Sequence, residues 1–73
     1  MKYSEKELFA FMGQCEEGKQ VKVTCVDGTQ ITGSCWAYSA TQNDEDYGVA
    51  EPSLDIGPGT LVYSSEIERI DVL

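Results

Sequence analysis

Histidine is absent from this chain and cations are scarce: five Lys and Arg stand against thirteen Asp and Glu, for a net charge of -8 over 73 residues. Without histidine the chain lacks the usual general base, the usual activator of a cysteine nucleophile, and one of the two common zinc ligands. The three cysteines, Cys15, Cys25 and Cys35, form no CxxC pair. Too few ligands remain for a structural zinc, and an odd count argues for reduced thiols acting as small buried hydrophobes. Neither a metal nor a cofactor is expected. The cations are Lys2, Lys6, Lys19, Lys22 and Arg69. Phosphate backbones bind through Lys and Arg, so the charge opposes general nucleic-acid binding and serves solubility instead.

Long apolar runs are missing too, so no segment has the length of a membrane span. The opening Met1-Lys2-Tyr3-Ser4-Glu5-Lys6-Glu7 carries acidic charge, Glu5 and Glu7, where a secretory signal needs a basic stretch and then an apolar one. The expected location is the cytoplasm, with no membrane partner. What is present is ordinary for a globular domain: 41% hydrophobic and 25% charged residues. At this length one domain is expected, residues 1–73, burying roughly 60% of the unfolded chain's surface.

Ser4 and Glu7 have the spacing of a capping box, with Tyr3 and Leu8 placed as a hydrophobic staple. A helix over about 4–14 follows, with Leu8, Phe11, Met12 and Cys15 on one apolar face and Gly13 or Gly18 as its stop. From Lys19 the period becomes two. Val21, Val23 and Cys25 share the inner face of a first strand, and Ile31, Gly33, Cys35 and Ala37 that of a second, Thr29 to Tyr38. A two-residue Asp27-Gly28 loop would oppose apolar and polar faces, whereas a three-residue loop, Val26-Asp27-Gly28 with a left-handed Gly28, pairs Val23 with Ile31. That register also sets Cys35 opposite Lys19, away from Cys25.

Ser39 to Asp46 reads as a polar loop, and its Asn43-Asp44-Glu45-Asp46 run lacks the spacing of a calcium loop. Tyr47 to Ile56 is a weaker strand containing Pro52, followed by a Gly57-Pro58-Gly59 turn. Thr60 to Ser64 and Ile67 to Leu73 are short strands joined by a near-helical Ser64-Ser65-Glu66. Ile67, Ile70 and Val72 are expected to complete the core. The fold class is therefore mainly β: a small SH3-like or Sm-like five-stranded bent barrel, about residues 18–73, behind a short N-terminal helix.

From Gly18-Lys19-Gln20-Val21-Lys22-Val23 onward the chain resembles the first signature motif of the Sm-like family, RNA-associated ring proteins with an N-terminal helix and a five-stranded barrel. Asp27-Gly28, Gly33, Tyr38 and Asn43 fall where that motif carries its turn, bend glycine, aromatic and loop asparagine. The resemblance covers about a third of the chain. It implies an RNA or partner contact at Ser39, Thr41, Asn43, Tyr63 and Ser64. The family has an aspartate, a stacking residue and an asparagine at the first three positions and an Arg-Gly pair at the last two, and only Asn43 matches. It also implies assembly through the fourth and fifth strands, with Leu61, Tyr63, Ile70 and Val72 at the interface. The resulting expectation is a non-enzymatic interaction module that binds copies of itself or another protein, with Sm-like RNA binding as the alternative.

Overall fold

The computed structural model describes residues 3–48, 50–57 and 59–73. Its first element is α1, Glu5–Glu16. The Ser4 hydroxyl accepts the Glu7 N–H at 3.3 Å and the Glu7 carboxylate accepts the Ser4 N–H at 3.2 Å, the reciprocal box anticipated from the sequence. The helix runs through Gly13 and past residue 14. It stops where Gly18 adopts φ +94°, donating to the Cys15 carbonyl at 3.0 Å while Lys19 donates to that of Gln14 at 3.3 Å. That pair of bonds is a Schellman end, which needs a left-handed residue. Gly13 only needs helical backbone, so Gly18 sets the boundary. Leu8 is fully buried, and Phe11, Met12 and Cys15 pack partly buried against the same core.

Strand β1 (Val21–Cys25) and strand β2 (Gln30–Gly33) form the bulged hairpin that parity demands, with Val23 opposite Ile31 and Thr24 opposite Gln30. Gly28 has φ +93°, and the Asp27 carboxylate accepts the Thr29 N–H at 3.0 Å. The second expected strand is in fact two. The chain leaves β1 at Gly33, breaks at Ser34 and continues as β3 (Cys35–Tyr38) in another sheet. Gly33 crosses close to Gly57 there, where a Cβ would lie 3.4 Å from the Gly57 nitrogen, at van der Waals contact. Cys35 consequently faces Ile56, not Lys19.

Where a polar loop was expected, residues Ala40–Tyr47 form a second helix, α2. Ser39 Oγ accepts the Gln42 N–H at 3.1 Å and Gln42 Oε1 accepts the Ser39 N–H at 2.9 Å, a second capping box. The Ala40 N–H donates to the Glu5 carboxylate at 2.9 Å and ties the start of α2 to α1. With Tyr47 in a helix, the next strand shortens to β4 (Ser53–Ile56). Pro52 lies just outside it, lacking an N–H for the ladder, while its carbonyl accepts the Ser64 N–H at 2.9 Å. Strand β5 (Thr60–Tyr63), a 3₁₀ turn (Ser64–Glu66) and strand β6 (Ile67–Val72) follow, close to expectation.

The strands form two antiparallel three-stranded sheets, ordered β2-β1-β6 and β3-β4-β5. Among the described residues, six strands thus stand where five were expected, in two sheets with no strand pairing between them. One cluster joins Val21, Val23, Cys25, Ile67 and Ile70 to Cys35, Ala37, Leu54, Ile56 and Val62, with Leu8 from α1. Val72 is 42% exposed near the end of β6 and does not complete the core. Pro58 of the expected turn, Lys2, and the side chains of residues 44–47, including the acidic run, lie outside the described residues.

Candidate functional site

Asn43 is the one residue that matched an RNA pocket, and it is entirely buried. Its Nδ2 donates to the Glu51 carbonyl and, at 2.9 Å, to the Ser53 hydroxyl, while its Oδ1 accepts from that hydroxyl at 3.2 Å. A carboxamide reads a base by presenting a donor and an acceptor side by side. Here both donor and acceptor are engaged within the chain. Ser53 stands opposite Tyr63 in the β4–β5 register, and Ser64 is buried beneath Pro52. Asn43, Tyr63 and Ser64 therefore gather at one corner of the second sheet. Ser39 caps α2, and Thr41 is exposed on it.

The outward face of β3-β4-β5 is a different kind of surface. Strand alternation places Trp36, Asp55 and Leu61 in one cross-strand row and Tyr38, Ser53 and Tyr63 in the next. Trp36 is 50% exposed. Beside it, Asp55 Oδ1 is buried without a hydrogen-bond partner. Asp55 escaped sequence reasoning, although the inward Leu54 and Ile56 on either side were its signal.

Both sheets end in strands paired on one side only: β5 bonds to β4, and β6 bonds to β1. The expected interface residues divide between these edges. Leu61 and Tyr63 on β5 are half-buried, Val72 on β6 is exposed, and Ile70 is buried in the core. The Ile70 N–H donates to the Tyr3 hydroxyl at 3.0 Å, and the Tyr3 ring, packed against the core cluster, meets Phe11 edge-on at 5.9 Å. The N-terminal segment thus covers part of the β6 edge.

Between the β1–β2 hairpin and β5 opens a cavity of about 280 Å³, lined in part by Cys25, Val26, Ile31 and Leu61 and by the acidic Asp27 and Glu66. Burial, reinforced by the Asp27 and Glu66 charges, pushes the Cys25 thiol up from its ordinary value. Cys35 is pushed further, to about 12, by burial and then by its hydrogen bond with Cys15. A nucleophilic cysteine needs the opposite, a stabilised thiolate. Among the described residues no three His, Cys, Asp or Glu side chains converge as metal ligands. No described helix is long and apolar enough to cross a membrane. No protein-family model, curated protein or solved structure matches this chain.

Proposed function

We propose that this chain is a non-enzymatic, Sm-like interaction module that assembles with copies of itself by pairing β5 of one copy with β6 of the next. In this reading the two sheets are the halves of a five-stranded SH3-like barrel, β2 and β3 are its single bent second strand, and α2 is inserted between the second and third barrel strands. The observation that carries the proposal is that, of the four strands paired on one side only among the described residues, β5 and β6 are joined by a single 3₁₀ turn. Strand β5, Thr-Leu-Val-Tyr, carries no charge to repel a neighbouring strand. Pairing would exchange the Tyr3–Ile70 hydrogen bond for backbone bonds along β6. A cytoplasmic setting, where thiols stay reduced, suits three unbonded cysteines.

Catalysis has little to draw on, because histidine is absent and two of the three thiols are held protonated. The RNA-binding alternative is opposed by the net charge and by the engaged carboxamide of Asn43. Labelled oligo-U and oligo-A titrated at low salt, where phosphate contacts are strongest, are expected to show no saturable binding.

Sedimentation velocity over a micromolar dilution series tests the assembly. The chain is expected to sediment as a discrete oligomer that dissociates on dilution. Leu61→Lys, which places a charge on β5, is expected to weaken association at least about tenfold while leaving a folded monomer. A wild-type chain that stays monomeric throughout the series overturns the proposal.

A further inference from the structure

Helix α1 meets the second sheet chiefly at β3, and two thiols stand at that contact. Cys15 Sγ and Cys35 Sγ are 3.0 Å apart, about 1 Å longer than a disulfide bond. The Cys35 backbone N–H donates to Cys15 Sγ at 3.1 Å and holds that sulfur against the start of β3. The two residues are 20 apart in sequence, so only the docking of helix on sheet brings them together. Cys15 retains partial solvent exposure, whereas Cys35 is 5% exposed. The third cysteine sits elsewhere: Cys25 lies in the first sheet opposite Ile67 and beside the cavity.

We infer that Cys15 and Cys35 form a peroxide-sensitive dithiol site, in which Cys15 is oxidised first and Cys35 resolves it to an intramolecular disulfide joining α1 to β3. The sulfur of Cys15, the one a small oxidant reaches, attacks a peroxide oxygen. An S–O bond forms, the O–O bond breaks, and with hydrogen peroxide one water leaves. The Cys35 sulfur then attacks the Cys15 sulfenic acid. The S–S bond forms, the S–O bond breaks, and a second water leaves with the Cys35 proton. Two thiols have lost two electrons and two protons, and one hydrogen peroxide has become two waters. A dithiol reductant reverses the bond by exchange.

The burial that protonates Cys35 makes resolution slow compared with a tuned peroxidase, which suits a site that records oxidant rather than turning it over. Once formed, the bond closes a loop of about 20 residues and restricts the unfolded chain. It also locks the helix that follows Tyr3, whose hydroxyl meets the β6 edge. The site stands apart from the self-association reading, since both thiols belong to one copy.

The test is stoichiometric hydrogen peroxide on the full chain at a concentration where it is monomeric, followed by denaturing alkylation and peptide mapping. Expected is the loss of two of the three free thiols and of the mass of two hydrogens, with a Cys15–Cys35 cross-linked peptide that dithiothreitol abolishes. The oxidised chain is expected to melt roughly 10 °C higher than the reduced one. Cys25→Ser should retain the cross-link and Cys15→Ser should lose it. If Cys15→Ser fails to fold, the wild-type peptide map alone decides. Overturning results are three free thiols after treatment, over-oxidised Cys15 with no cross-link, or disulfides that involve Cys25 or a second chain.

Discussion

At the scale of single residues, the structure turns on polar side chains committed to internal partners. Asn43 gives its amide to the Glu51 carbonyl and Ser53 at zero exposure. Replacing it with alanine strips the Ser53 hydroxyl and the Glu51 carbonyl of a partner in a buried place, a loss worth about 2–3 kcal/mol. Urea unfolding of Asn43→Ala is expected to show that loss, whereas a side chain kept for an external base would shift stability by less than about 0.5 kcal/mol. The residue type was visible in the sequence, but its partners were not. A buried asparagine and a loop asparagine look alike until the chain from 43 to 53 is placed. Cys15 and Cys35 were hidden in the same way: helical and strand periods put each on an inward face, and only the docking of α1 on β3 sets the sulfurs side by side. Asp27, by contrast, was readable, because an Asp-Gly hairpin loop predisposes the aspartate to accept a nearby backbone N–H. The Thr29 N–H it accepts holds its carboxyl below the ordinary value of 3.8.

At the scale of elements, what was legible followed from periodicity and local caps. Strand parity alone fixed the Val26-Asp27-Gly28 loop, since only that length leaves Val23 and Ile31 on one face. The capping box named the start of α1, and the choice between Gly13 and Gly18 needed the actual φ values. Helix α2 was missed because Ala40–Tyr47 has no apolar stripe, and polar residues between strands read as a loop. The signal was present in Ser39 and Gln42, whose spacing is that of the box at α1. A helix of eight residues is marginal by itself and depends on its cap and on Asn43 for anchorage. Ser39→Ala is therefore expected to cost about 1 kcal/mol, with a measurable drop in helical ellipticity. An unchanged far-ultraviolet spectrum and unfolding midpoint would show that α2 stands without its cap. The break at Ser34 falls where Gly33 passes close to Gly57 and the strand changes sheets.

At the scale of the whole molecule, two small sheets share one core, the N-terminal segment touches both through Tyr3 and Cys15, and strand edges are left with backbone groups to satisfy. Composition gives a chain without histidine and with few cations for phosphate. Edges are a property of topology and became definite only once strand order was known. The proposed assembly makes a sharp statement about them, because β2 is also paired on one side only and serves as an internal control. Amide hydrogen exchange resolved along the chain, compared between dilute and concentrated samples, reads each edge separately. With pairing of β5 on β6, outward amides of these strands are expected to slow by about tenfold or more as concentration rises, while those of β2 keep their rate. Exchange at β5 and β6 that does not change with concentration would contradict it.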